Sequence, residues 1–148
     1  MYSSGTGIVY GLHGCDKSIA AKIINREIAL KPSGNEYDWL GNGMYFWENS
    51  PSSALDFAQE FKNNPGKSKS PIKEPAVIGA IIHMGNCLDL LDYENLKLLK
   101  VGFEILKATS VKLPRNIPAG KLKELMVRNL DCAVIEALHK VREDEELR

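Results

Sequence analysis

His13-Gly14, at the end of an apolar run, is the first place in this sequence where side chains could do chemistry. A histidine at a strand edge can donate a hydrogen bond to a ribose hydroxyl, and the adjacent glycine leaves its own N–H and C=O open to a ligand amide. The same pair equally serves a structural end, a histidine satisfying a carbonyl where a strand stops. The second place is Tyr37-Asp38-Trp39-Leu40-Gly41-Asn42-Gly43-Met44-Tyr45-Phe46-Trp47-Glu48, which is aromatic, acidic and glycine-rich at once. Gly41 and Gly43 bracket Asn42, a spacing that lets backbone turn tightly or approach a ligand closely. Tyr45, at the mouth of a strand entered through that turn, can offer its ring as a stacking platform for a flat heterocycle. The plainer alternative is a turn followed by an ordinary core strand. Ser52 and Ser53 fall in a helix first turn, where free N–H groups favour polar or anionic ligand atoms, although serine is common there for structural reasons. Glu136 is the one carboxylate in the apolar stretch Cys132-Ala133-Val134-Ile135-Glu136-Ala137-Leu138.

Thiols and imidazoles suggest two further chemistries. His13, Cys15, His83 and Cys87 are soft donors, but neither their one-residue nor their three-residue gap is a standard zinc knuckle, so no metal is expected. Cys15 with His13 or His139 would make a nucleophile and base for a cysteine-dependent hydrolase, although small buried cysteines are far commoner than catalytic ones. Lys62, Lys67, Lys69 and Lys73 surround a proline-containing stretch and could touch phosphates, or simply solvate a loop.

The elements that must position these residues follow from periodicity. Ile8–His13 reads as a central strand, with Asp16 capping a helix that runs to about Arg26 on Ile19, Ala20, Ile23 and Ile24. Residues 31–36 form a loop, and Met44–Trp47 a short strand. Ser50 caps a second helix with Pro51 at its first position and Ala54, Phe57, Ala58 and Phe61 as its stripe. Asn63–Pro75 is an exposed loop, Ala76–Ile82 a buried strand and Cys87–Leu90 a further short strand. Asp92 caps a long helix carrying Leu96, Leu99, Phe103 and Leu106. After a loop at 114–120 the tail reads as helical to the end. The expected class is α+β, in one domain spanning 1–148.

Charge balances at 19 basic against 19 acidic residues, which excludes a general electrostatic footprint for nucleic acid or membrane while leaving a local basic face open. No apolar run is long enough to span a bilayer, and the start lacks the basic region of a signal peptide. The odd count of three cysteines fits reduced thiols in a cytoplasmic protein.

Taken in order, His13-Gly14, Gly41-Asn42-Gly43-Met44-Tyr45-Phe46 and Ser53-Ala54 resemble an ADP-ribosyltransferase of the diphtheria-toxin and poly-ADP-ribose-polymerase type. In that family a serine and a small residue follow eight and nine positions beyond the tyrosine, which here reaches Ser53 and Ala54. The words Tyr-Asp-Trp-Leu-Gly and Tyr-Phe-Trp-Glu are also similar to a group of bacterial proteins. The motif-bearing resemblance covers about residues 7–60. It implies a split sheet flanked by helices and NAD as substrate. His13 would bind the adenosine-side ribose, Gly14 the nicotinamide carboxamide, Tyr45 the nicotinamide ring and Ser53 the amide oxygen. It also implies ADP-ribosyl transfer to a protein or nucleic-acid acceptor, as in a bacterial toxin or defence effector with an antitoxin or partner chain. The family's third motif, a Glu on a late strand, has only Glu136 to fill it, on a segment that reads as helical. Either the domain is shortened and lacks its last strands, or that position is supplied otherwise. The alternative reading is an inactive module that binds NAD or ADP-ribose without turnover.

Overall fold

The computed structural model describes residues 3–65, 70–119 and 125–146. It is a mixed α+β structure that divides into two compact units. One comprises Ser3–Lys31 with Met44–Cys87, and the other Pro32–Gly43 with the chain from Leu88 onward.

The first unit is built on a three-stranded antiparallel sheet. Its centre is β1 (Ser3–Asp16), flanked by the two-residue β2 (Trp47–Glu48) and by β3 (Pro75–Cys87), in the order β2-β1-β3. The β1–β3 register runs from Ile8 opposite His83 to Asp16 opposite Pro75, with an irregularity between Gly5 and Ile8. β1 and β3 are thus longer than the apolar runs that announce them. Polar and glycine residues at their ends continue the ladder because backbone, not side-chain character, supplies its bonds. Cys87–Leu90 is not a separate strand: Cys87 ends β3, and the chain then turns. Met44–Phe46 likewise stays outside the ladder, which begins at Trp47.

Two helices belong to this sheet. Helix α1 (Lys17–Ile24) starts at Asp16, whose side chain accepts from Ser18 N–H. Helix α2 (Pro51–Asn63) starts at Ser50, which accepts from Ser53 N–H, with Pro51 at its first position. α2 meets the sheet through Ala54 and Ala58, both fully buried. Where it crosses, a Cβ on Gly14 would collide with the Ala54 carbonyl oxygen, so only glycine allows β1 and α2 to approach this closely. Phe57 and Phe61 meet at 4.5 Å with their rings tilted by 40°, and Trp47 tilts against Phe57 at 6.3 Å. Residues 66–69, including Lys67 and Lys69, lie outside the described residues; Lys62 and Lys73 are exposed.

The second unit pairs α3 (Tyr93–Thr109) with α4 (Asn129–Glu146). Asp92 caps α3 through Glu94 N–H. The helices cross where Gly102 sits under Leu138, whose Cγ lies 2.6 Å from the position of a Cβ on that glycine. The tail is not helical throughout: β4 (Ile117–Ala119) and β5 (Leu125–Val127) form an antiparallel pair before α4. Pro118 hides this strand from a periodicity reading, although proline is tolerated on so short and marginal an edge. The Asn116 side chain spans to α4, accepting from Leu130 N–H at 2.9 Å and donating to Asp131 at 2.7 Å. No helix among the described residues is long and apolar enough to cross a membrane.

Asp16 ties the first unit together. It accepts from Ser18 N–H at 3.0 Å and Ser18 O–H at 2.6 Å, and from Lys73 and Glu74 N–H at 2.8 and 3.1 Å. Foremost the Ser18 hydroxyl, then the N–H groups of Glu74 and Lys73, hold its carboxyl well below the usual carboxylate range. A carboxyl lowered by folding contributes stability above its unfolded value and loses it as pH falls toward the folded one. The melting temperature should therefore drop on acidification below about pH 4. Asp16→Ala should cost about 1 kcal/mol at pH 7 and flatten that drop; an unchanged acid limb in the variant would assign it to other carboxylates.

Candidate functional site

The residues singled out on β1, before β2 and at the start of α2 come together at one end of the sheet. His13 Nδ1 lies 2.8 Å from the Tyr45 carbonyl oxygen, across 32 residues of sequence. A carbonyl only accepts, so Nδ1 carries the hydrogen, and in the neutral ring Nε2 keeps its lone pair to accept from a hydroxyl. The sequence-based expectation had His13 as a donor; the tautomer set by Tyr45 makes it an acceptor unless protonated. Phe46 meets the imidazole edge-on, with ring centroids 5.9 Å apart, and also crowds Gly11 on the same strand face. Tyr45 itself is half-buried.

Gly14 has two properties at once. Its Cα faces α2, as described above. Its backbone groups face the opposite neighbour of β1 from β3. Asn49 N–H donates to the Tyr10 carbonyl at 2.9 Å, so Tyr10, and by alternation Leu12 and Gly14, direct their backbone groups toward β2. That ladder ends at Leu12 opposite Trp47, leaving Gly14 past its end. The left-handed Asn49 (φ 51°) then turns the chain from β2 into α2, a conformation asparagine tolerates better than most residues. Ser53 follows in the first helical turn. Its N–H goes to the Ser50 hydroxyl oxygen, and the Ser50 O–H in turn donates to Ser53 Oγ at 2.7 Å. Ser53 therefore retains its own O–H for another acceptor.

The stretch Pro32–Gly43 forms a closed loop in the other unit. Ser33 and Gly43 exchange backbone hydrogen bonds of 2.7 and 3.0 Å. Asp38 fills the loop, accepting from the Ser33 hydroxyl at 2.5 Å and from Asn35 N–H at 3.0 Å. Two residues one turn apart on α4 pin it from outside: Cys132 Sγ to the Asn35 carbonyl, and Glu136 Oε1 to Asn42 N–H at 2.6 Å. Gly41, at φ +82°, lies so close to Ile135 and Glu136 that a Cβ would fall 2.6 Å from the carboxylate. The glycine spacing that suggests a close ligand thus serves at Gly41 to admit α4. Glu136 is helical, as its surroundings in sequence indicate, and holds this loop. Tyr37, Trp39 and Leu40 remain exposed around it.

The metal and thiol chemistries find no support in the geometry. His83 is opposite Ile8 and Cys87 opposite Ser3, so His83 lies five residues along the ladder from His13, about 16 Å at the usual rise. No cluster of three or more His, Cys, Asp and Glu occurs among the described residues. Burial, and then the Asp16 charge, push the Cys15 thiol up, which disfavours the thiolate a nucleophile needs. Burial and the nearby Glu136 do the same at Cys132.

Sequence reasoning missed a cavity of about 620 Å³ in the second unit, whose walls include Glu36, Lys112, Pro114, Arg115, Cys132 and Glu136. The four-residue spacing of Cys132 and Glu136 is the sequence signal that could have placed both on its wall. No protein-family model, curated protein or solved structure matches the chain.

Gly14→Ala should lower stability by about 1–3 kcal/mol, the cost of forcing a methyl into packed backbone, as measured by the urea midpoint. Glu136→Ala should cost about 1 kcal/mol, and Glu136→Gln, which keeps an acceptor for Asn42, should restore most of it. Equal losses in both Glu136 variants would mean that the charge, not the hydrogen bond, matters.

Proposed function

We propose that this chain binds NAD and transfers its ADP-ribosyl group to a macromolecular acceptor, protein or nucleic acid, in the manner of a toxin or defence effector. The observation that carries the reading is the convergence of residues chosen only for their order in sequence. His13 bonds to Tyr45, and Gly14 packs against the residue next to Ser53. On this reading the region adopts an ADP-ribosyltransferase-like arrangement. His13 Nε2 accepts from a hydroxyl of the adenosine-side ribose. Gly14, past the end of the β1–β2 ladder, holds the carboxamide of nicotinamide, and Ser53 donates its O–H to the amide oxygen. Tyr45 stacks on the ring. The glycosidic C–N bond breaks, nicotinamide leaves with the bonding pair, and an acceptor nucleophile adds to the ribose carbon as its proton is lost.

A second reading is favoured by Glu136, whose Oε1 is engaged by Asn42 N–H. The one carboxylate the resemblance could assign to catalysis already has a structural partner. A protein that holds NAD or ADP-ribose without turnover needs no such carboxylate. NAD labelled in its adenosine half, incubated with the folded chain and a cell lysate, separates the two. Label on protein or nucleic acid, with free nicotinamide, supports transfer; calorimetric binding with neither supports the module.

Tyr45→Ala should weaken NAD binding by about one to two decades, the loss expected when one face of a stacked base is removed. Tyr45→Phe should retain most of the affinity, since its π-face survives. Melting temperatures of the three proteins are needed alongside: a folded Tyr45→Ala chain that binds NAD like the parent removes the stacking role.

A further inference from the structure

The cavity in the second unit has a charge pattern that the NAD reading does not use. Residues 105–119 carry Lys107, Lys112 and Arg115 and no acidic residue, in a chain whose charges balance overall. Lys107 lies 4.0 Å from Glu104, and Arg128 pairs with Asp131 at 3.0 Å. Lys112 and Arg115 line the cavity, are exposed, and have no ion-pair partner among the described residues. Two unpaired cations at a concave surface are suited to an anion, and arginine in particular to a phosphate.

The other walls narrow the ligand. Leu113, Pro114, Ile117 and Ala133 give the cavity an apolar surface that suits the face of a flat ring. Glu36 and Glu136 bring carboxylates from the closed loop and from α4. Glu136 spends Oε1 on Asn42, while Oε2 has no hydrogen-bond partner among the described residues and is available to a donor. A volume of about 620 Å³ exceeds what a bare phosphate needs and lies within the range of small-molecule sites. An anionic end, a flat apolar body and hydrogen-bond donors describe one common class of molecule.

We propose that this cavity binds a free mononucleotide, with its phosphate on Lys112 and Arg115, its base against the apolar wall, and an amino or hydroxyl donor toward Glu136. The site lies wholly within the second unit and shares no residue with the set His13, Gly14, Tyr45 and Ser53. It stands or falls separately from the NAD reading.

Calorimetry on the full chain with AMP, adenosine and ribose 5-phosphate tests it. AMP should bind, and adenosine, lacking the phosphate, and ribose 5-phosphate, lacking the base, should each bind about tenfold or more weakly. The double variant Lys112→Ala/Arg115→Ala should lose AMP affinity by at least about tenfold, as expected when charged hydrogen bonds are removed. Its melting temperature should not change, since both side chains are exposed. His13→Ala, which alters the group assigned to the adenosine-side ribose of NAD, should keep AMP affinity. Amide resonances of residues 112–117 and 129–136 in the parent should shift on titration. No AMP binding at millimolar concentration, or a double variant that binds like the parent, overturns the proposal. So does loss of AMP binding in folded His13→Ala with the double variant unaffected, because the nucleotide would then occupy the sheet unit.

Discussion

A backbone carbonyl of α2 occupies the space that a side chain on Gly14 would need, and the sheet unit is arranged around that contact. Close approach of a helix to a strand requires small residues on both sides, and Ala54 and Ala58 supply them from the helix. The approach also determines where the start of α2 comes. Ser53, one residue before Ala54, is brought beside the strand end that carries His13. Packing and site geometry are thus one constraint here: a larger residue at position 14 would move the helix, and with it the serine. Gly14 accordingly has a structural reason to be glycine whether or not its backbone groups meet a ligand.

In the second unit, polar closure of the 32–43 loop accompanies the close packing that Gly41 and Gly102 allow. Asp38, Ser33 and Asn35 satisfy one another inside the loop, and Cys132 and Glu136 fasten it to α4. A carboxylate accepting a backbone N–H at 2.6 Å is a strong, oriented contact, and it explains why a charged residue interrupts the apolar stretch around Ile135. The mixture of aromatic and polar residues in this segment divides accordingly. The polar ones close the loop, while Tyr37 and Trp39 stay on its surface.

Helix starts were the most legible part of the fold. Asp16, Ser50 with Pro51, and Asp92 each announce a helix in sequence and cap one in the structure, because a cap is a contact between residues two or three positions apart. Strand extents were less legible. The ladder of β1 and β3 continues through Gly85, Asn86 and Ser4, and only the partner strand determines that. The β4–β5 pair has no legible signal because strands of three residues, one of them holding Pro118, carry no usable alternation. Among the candidate residues, His13 meets the Tyr45 carbonyl across 32 residues, a contact only the folded chain provides. The bond between Glu136 and Asn42, across 94 residues, had no local signal at all.

By itself, then, the sequence determined the helix caps and the α+β class, while Ile24, Phe57 and Leu96, on the faces expected to be apolar and inward, are exposed. Caps and class depend on chemistry within a few positions of the chain. Tertiary structure alone decided that Nδ1 of His13 carries its hydrogen, that Gly14 yields space to α2, and that Glu136 holds a loop. It also decided that Lys112 and Arg115 border a cavity. Each of these depends on atoms brought together from distant positions, and the strand register and helix crossings that bring them together are settled only when the packed units form.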